Sequence, residues 1–360
     1  MRALLVSLLL FSASVGWAQE RSLLMPRPNT LFFRVIDTGS GTATLMVLTG
    51  ATSDDTHVMM HDVGHWDDDY RIRDELRHYL ADGEEIDVMI VSHSDSDHLG
   101  AADTVLEGWR VRSNVRTGWE RDEGVGTYWS YREALATSVA DNNTEDYVIG
   151  SGSPALGEAW PLGEASVTFL SGFDDLPNAW DVGVPPSNSK FDSKARNAVS
   201  IVVRVDYAGR SILLPGDAVG RLDKEQWSQL IGTEKFLVEH AAERSIKADI
   251  LLAPHHGADN ASSLPFIQAV QPTWVIFSAG VHHGHPKFDT FKRYRQFGVP
   301  EDHILRTDRG DQKYREDEWW GDWDDACRDK HGDDGISILI QASGTIAVDQ
   351  DPVIDLAKGC

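Results

Sequence analysis

The sequence predicts an α/β protein whose polar chemistry is delivered at strand ends, and three observations carry that expectation. Ile86–Val91 is an apolar, β-branched run, the pattern of a strand buried on both faces. It leads directly into Ser92-His93-Ser94-Asp95-Ser96-Asp97-His98, and a turn at the end of a buried strand is where an α/β sheet presents functional groups. Upstream, Ile72, Leu76 and Leu80 recur at a spacing of four, which predicts an amphipathic helix over Asp68–Ala81.

His93, Asp95, Asp97 and His98 occupy offsets 0, 2, 4 and 5. Four ligand-type side chains so close in sequence converge only if the backbone turns sharply, and Gly100 permits such a turn. A solvated polar loop that happens to hold two histidines is the bland alternative. Asp and His interleaved at metal-ligand spacing, and delivered by a strand, argue for a metal site instead.

The 360 residues suffice for one large domain, and a hydrophobic content of 41% supplies a sizeable core. Residues 1–18 read as a secretory signal: Arg2 gives a positive start, Leu4–Phe11 an apolar centre, and Gly16-Trp17-Ala18 small residues at the cleavage positions. That apolar run is too short to span a bilayer, and no other segment is long enough, so the mature chain is expected to be soluble and periplasmic or secreted. Cleavage after Ala18 would remove only Arg2 among the charged residues, leaving 32 basic against 57 acidic residues, a balance of −25. So acidic a chain disfavours tight binding to nucleic acid, which depends on neutralising phosphates. It leaves room for a local positive site built around bound metal. In an oxidising compartment Cys327 and Cys360 are expected to form a disulfide, with two free thiols as the alternative.

Taken in order, Leu31–Ile36 and Thr42–Leu48 predict two strands joined by the glycine-rich turn Asp37-Thr38-Gly39-Ser40-Gly41. His57–His61 predicts a third, ending in Asp62-Val63-Gly64, with His61 and His65 as strand-end polar residues. The helix over Asp68–Ala81 has an acidic first turn and is closed by Asp82-Gly83. Beyond the polar turn, Gly100–Trp109 predicts the helix that leads His98 away from the strand. Residues 110–190 are the least patterned. Tyr128–Ala140 predicts a helix, Asp141–Asp146 a polar turn, Ala165–Leu170 a strand, and Asp174–Lys194 a long loop rich in Pro, Asn, Ser and Asp.

Asn197-Ala198-Val199-Ser200 opens a strand over Ile201–Val205, Tyr207–Arg210 turns the hairpin, and Ser211–Leu214 is the partner strand, ending in Pro215-Gly216-Asp217. Arg221–Arg244 is helical in character, and Ala248–Ala253 is a buried strand before Pro254-His255-His256-Gly257. Ser262–Val270 and Phe288–Phe297 predict helices, and Trp274–Ser278 and His303–Arg306 strands. An acidic insertion at about 309–335, with Trp319, Trp320, Trp323 and Cys327, precedes a closing hairpin of Ile336–Ile340 and Thr345–Val348. Its tryptophans either pack it onto the main body, stapled by Cys327 and Cys360, or form a binding surface.

The His-x-Asp-x-Asp-His spacing of residues 93–98 resembles the metal-binding signature of the metallo-β-lactamase fold, His-x-His-x-Asp-His, with Asp95 where the commoner form has a second histidine. This form is similar to the hydrolase domain of ComEC-type competence proteins. Later stretches extend the resemblance over most of the chain. They are the turn of Asp37, Gly39 and Gly41, from which Thr38 and Ser40 depart; Asn197-x-x-Ser200; Leu213-Leu214-x-Gly216-Asp217; His255-His256-Gly257; Gly284-His285-Pro286; and Thr307-Asp308. The resemblance implies an αββα four-layer sandwich, with residues 19–360 forming one hydrolase domain that carries the insertion.

It further implies a first metal position taking His93, Asp95 and Asn197, a second taking Asp97, His98 and either His255 or His256, and Asp217 bridging them. The alternative role for Asn197 is capping its strand. Asp62 would brace the metal loop from beneath, and His285 would face the substrate. The cofactors expected are two divalent metal ions, Zn²⁺ or Mn²⁺. Several carboxylates and no Cys make a harder ligand set than a His-rich zinc site, so Mg²⁺ and Fe compete. The reaction expected is hydrolysis of phosphodiester or related ester bonds by metal-bound hydroxide, with Asp97 orienting or deprotonating the water. The substrate would be a small molecule or a phosphodiester. The competing reading is a non-catalytic exported binding protein on a degenerate scaffold. The intact set of Asp97, His98, Asp217 and His-His-Gly weighs against it.

Overall fold

The computed structural model describes residues 24–52, 55–80, 84–121, 125–183, 192–222, 225–280, 283–308 and 334–351. The expected leader, all but the last two residues of the tryptophan-rich insertion, and both cysteines lie outside the described residues.

The chain begins with β1 (Thr30–Ile36), β2 (Ala43–Thr49), β3 (Thr56–Val63), β4 (Ile86–Val91), β5 (Val111–Arg116) and β6 (Glu145–Val148). It continues with β7 (Ala159–Leu162), β8 (Ala165–Ser171), β9 (Val202–Tyr207), β10 (Arg210–Leu214), β11 (Ile250–Leu252), β12 (Trp274–Phe277) and β13 (Ile304–Arg306). The hairpin of β14 (Ile336–Gln341) and β15 (Ile346–Gln350) follows. Among the described residues, β15-β14-β1-β2-β3-β4-β5-β6 form one sheet and β13-β12-β11-β10-β9-β8-β7 the other, so the last hairpin returns to the first sheet. Each sheet is mixed. β3 to β6 run parallel, as do β10 to β13, and the rest pair antiparallel.

Strand alternation explains why β1 reads as one apolar run. Leu31, Phe33 and Val35 enter a core shared with Phe169, Val203, Ile212 and Ile276 of the other sheet. Phe32 and Ile36 face the opposite way. There they meet α1 (Asp69–Tyr79), α3 (Ala102–Gly108) and α4 (Gly126–Asn142), which cover the first sheet. The helices α6 (Gly232–Glu239), α7 (Leu264–Val270) and α8 (Phe288–Phe297) cover the second. Helices outside and two sheets inside give the αββα layering. Each fully buried Leu, Ile or Phe in these layers contributes roughly 1.5–3 kcal/mol. Arg34, also buried on the helix side of β1, is neutralised by Glu75 of α1 at 3.1 Å and by Asp351 just past β15, whose Oδ1 accepts at 3.0 Å.

Several elements depart from the expected boundaries. His98 lies inside a short helix, α2 (Ser96–Leu99), which a separate turn divides from α3. Asn197 does not open a strand. It sits near the end of α5 (Ser193–Ala198), because Asp192 caps that helix by accepting from the Lys194 amide at 2.9 Å. Among the described residues of the helical stretch expected over Arg221–Arg244, α6 is the one α-helix. Gly232, at φ +53°, breaks the pattern, and the Gly220 and Arg221 amides are spent on the Asn260 carbonyl, each at 3.0 Å. The polar turn expected at Asp141–Asp146 shortens to the left-handed Asn143 cap, and Glu145 already starts β6. β5 and β7 carried no clear signal: β5 reads Val-Arg-Ser-Asn-Val-Arg, and β7 is a sheet-edge strand containing Pro161.

Candidate metal centre

The parallel strands of both sheets end at one rim, and the polar turns after β3, β4, β10, β11 and β12 meet there. Asp62 is the brace. Its Oδ1 accepts from the Ser92 amide at 2.7 Å. Its Oδ2 accepts from the Ser92 hydroxyl at 2.8 Å and from His98 Nδ1 at 2.7 Å. The last bond commits the His98 proton to Nδ1 and turns a bare Nε2 inward. His256 is fixed the same way, with Nδ1 donating to the Ser278 carbonyl at 2.8 Å. His255 and His256 both hold left-handed backbone conformations, at φ 52° and 53°. Each costs on the order of 1–2 kcal/mol, strain of a kind that gathers at functional sites.

The bare nitrogens converge. His98 Nε2 lies 3.2 Å from His256 Nε2 and 3.0 Å from Asp217 Oδ1. His256 Nε2 lies 3.5 Å from Asp97 Oδ2 and 3.6 Å from Asp217 Oδ1. The contact between His98 and Asp217 is short enough for an ion pair, but Asp217 Oδ1 still has no hydrogen-bond donor. Lone pairs facing one another in a buried space need a cation between them. Burial opposes charge on His98, but Asp217 and Asp62 outweigh it and raise its pKa well above the ordinary value. Burial likewise opposes charge on Asp217, and His98, His255 and His256 drive its pKa well below the usual carboxylate range.

A second convergence lies beside the first. The Ser92 hydroxyl, having donated to Asp62, accepts from His93 Nδ1 at 3.0 Å. His93 Nε2 is therefore also bare, and it is buried without a partner. It stands 3.8 Å from Asp95 Oδ2 and 3.9 Å from Asp217 Oδ2. His255, held through Nδ1 by Asn260 Oδ1 at 2.7 Å, brings Nε2 to 3.5 Å from Asp217 Oδ2. Asn197 Nδ2 bridges the two, 3.3 Å from Asp217 Oδ2 and 3.2 Å from His255 Nε2. The groups His93–His98–Asp217 and Asp97–His98–His256 each gather ligand atoms tightly enough to hold one ion. Bare, buried nitrogens facing carboxylates are the donor set a divalent metal requires, so these residues fit such ions.

The metallo-beta-lactamase superfamily matches residues 36–280 of this sequence. The chain belongs to the metallo-β-lactamase superfamily. It is similar to ComE operon protein 3 of Bacillus subtilis, with 25% identity over 236 residues that cover 64% of this chain and 25% of that protein. It is also similar to Recombination protein 2 of Haemophilus influenzae, with 26% identity over 247 residues covering 68% and 24%. The chain thus spans about a quarter of the length of the curated relatives it matches, and its relationship to these competence-type proteins is distant. Among solved structures, the metallo-beta-lactamase fold protein YhfI of Bacillus subtilis aligns with a TM-score of 0.43 and 12% identity, covering 77% of this chain and 97% of that one.

In this metallo-β-lactamase-fold chain the motif residues separate by role. His256 joins Asp97 and His98, while His255 stands with Asn197 on the other side of Asp217. Asp97 opens partly to the cleft. Burial favours its neutral form, but His256 and His98 hold it ionised, below the usual range. The His285 ring lies parallel to that of His256, with 6.3 Å between centroids, and lines the cleft. Burial, with His255 and His256 close by, keeps its imidazole neutral, well below the usual value. His61 is a polar residue near the end of β3, as expected. It is fully buried beside Asp62, with Nε2 3.4 Å from the Ile201 carbonyl. Sequence reasoning missed Arg121 and Arg196, which both bond to Asp95 Oδ1. No motif marks either residue; the contact joins positions 26 and 101 residues away from Asp95.

Proposed function

We propose that this protein is an exported, dinuclear metal-dependent hydrolase that cleaves phosphodiester or related ester bonds. The observation that carries the reading is the paired convergence around Asp217. Its two carboxylate oxygens face different sets of bare imidazole nitrogens, His98 and His256 on one side and His93 and His255 on the other. In this proposal His93, Asp95 and Asn197, with His255 beside them, would hold the first ion. Asp97, His98 and His256 would hold the second, and Asp217 would be shared between them. When bound, two divalent ions such as Zn²⁺ or Mn²⁺ supply Lewis acidity toward a phosphoryl oxygen and acidify water.

The chain's own groups do the rest. Asp97, ionised and open to the cleft, accepts a proton from the attacking water. His285, neutral at the cleft wall, donates a hydrogen bond to the substrate. Asp62 keeps His98 in the one tautomer that can ligate. The cleft lined by Asp97 and His285 encloses about 720 Å³, room for a small phosphodiester. Among the described residues no helix is long and apolar enough to cross a membrane. The export signal and the periplasmic or secreted location remain part of the proposal, as does a single domain over residues 19–360 closed by a Cys327–Cys360 disulfide.

The test is metal content of the purified protein, with hydrolysis of bis(p-nitrophenyl) phosphate followed as ions are added back. Two equivalents with turnover are expected, and Asp217→Ala should leave below about 1% of the activity, a larger loss than removal of an outer partner causes. Undiminished turnover in that variant would overturn the bridged two-metal reading.

A further inference from the structure

Resting on the reading that two ions bind here, we propose that the turn of residues 37–42 positions the ligands of the second ion, with Thr42 holding both Asp97 and His256. The turn joins β1 to β2, and a hairpin requires nothing more of it. Its first half is shaped from within: Asp37 Oδ1 accepts from the Gly39 amide at 2.9 Å, and Gly39 holds φ +61°. Its last two residues, Gly41 and Thr42, are buried against the metal loop.

Asp97 lies in α2, a single helical turn too short to hold itself. The Gly100 amide leaves that helix for the Gly64 carbonyl at 2.8 Å. Thr42 closes the circuit. Its amide donates to the Asp97 carbonyl at 2.9 Å, and its carbonyl accepts from the Gly64 amide at 2.8 Å. Gly41 lets the two stretches of chain come this close. A Cβ there would stand 2.6 Å from the Asp97 carbonyl oxygen and 2.8 Å from the His65 amide nitrogen, both backbone atoms that cannot swing aside.

The same two residues reach His256. Its Nδ1, which donates to the Ser278 carbonyl at 2.8 Å, also lies 3.2 Å from Thr42 Oγ1, a second acceptor for the same proton. The Ser278 hydroxyl in turn donates to the Gly41 carbonyl at 3.0 Å. Both acceptors of the His256 proton are thus tied to the turn, and with them the direction of its bare Nε2. The other histidines of the centre are set elsewhere: His98 by Asp62, His93 by Ser92 and His255 by Asn260. The turn therefore touches Asp97 and His256, the residues assigned to the second ion alone. Its loss should weaken one ion and spare the other, which general loosening of the fold would not do.

The experiment titrates the metal-free full chain with Co²⁺, followed by its visible absorption, with each affinity fixed by competition against a chelator. His256→Gln identifies the binding step that belongs to the second position. Gly41→Ala should weaken that step about 10–100-fold, the effect of disturbing a group that orients a ligand, and leave the other step unchanged. Thr42→Val keeps the volume and the amide but loses the hydroxyl. It should weaken the same step about threefold to tenfold, the size of one neutral hydrogen bond, while Thr42→Ser stays near wild type. An unchanged second step in either folded variant overturns the proposal, and so does an equal loss in both steps. Should Gly41→Ala fail to fold, Thr42→Val against Thr42→Ser decides alone. If wild type takes up a single ion, the two-metal reading falls. The turn then keeps its role only if that ion weakens in His256→Gln, Gly41→Ala and Thr42→Val alike, and loses it otherwise. A wild type that takes up no ion overturns both.

Discussion

His98 Nε2 and His256 Nε2 stand 3.2 Å apart, and each ring has its other nitrogen committed, to Asp62 and to the Ser278 carbonyl. Only a proton or a metal ion relieves that apposition. Both histidines have raised pKa values: burial opposes their charge, and Asp217 is the leading group that overcomes it in each. The raised values favour a proton between the two Nε2 atoms in metal-free protein, and binding an ion must expel it. Calorimetric Zn²⁺ titrations in buffers of different ionisation enthalpy should show net proton release. The apparent affinity should rise with pH by up to about tenfold per unit for each proton displaced. Binding without proton release would show that both Nε2 atoms are already bare in the metal-free protein.

Asp62 accepts three hydrogen bonds in full burial, from the Ser92 amide, the Ser92 hydroxyl and His98 Nδ1. Asp62→Ala strands all three donors and frees the His98 ring. Metal affinity should fall about 10–100-fold, as expected when a group that orients a ligand is removed. Stability should fall by about 3 kcal/mol from the unsatisfied donors. Competition with a chelator reads the first and urea unfolding the second. Wild-type affinity in Asp62→Ala would show that His98 needs no brace.

Much of this architecture is legible in the sequence because its strands are buried on both faces. The apolar run Ile86–Val91 coincides with β4, and the ligand-bearing turns follow such strands. What escaped depends on contacts distant in sequence. β5 is polar by composition and gains its burial from β4 and β6. The division of labour between His255 and His256 follows from two adjacent left-handed residues that splay the rings. The two arginines on Asp95 come from a loop after β5 and from α5, and nothing local to either marks them.

Glu234 is fully buried and accepts from the amides of Ser262 and Ser263. Burial pushes its carboxyl up to about 7, against the pull of those donors and of Arg293. A carboxyl whose folded value lies above its ordinary 4.5 gives stability that is fully present below about pH 4.5 and lost as pH rises through about 7. The amount is about 3 kcal/mol for a shift of this size. Wild type should lose thermal stability between pH 5 and 8 relative to Glu234→Gln, which cannot ionise. Parallel melting curves over that range would rule out the shift.

Gly216 precedes Asp217 with φ +53°, and a Cβ there would come within 2.8 Å of both Cβ and Oγ of Ser92. Ser92 is the residue that ties Asp62 to the start of the metal loop and receives His93 Nδ1. Gly216→Ala therefore combines a left-handed alanine, costing about 1–2 kcal/mol, with a collision against the serine that orders two ligand histidines. Its effect should reach beyond stability. Metal affinity should drop in Gly216→Ala, while Gly209→Ala, also left-handed at φ +73° but with open space around its Cβ, should lose stability alone. Equal metal affinity in the two variants would separate the Gly216 turn from the ligand set and leave backbone strain as its whole cost.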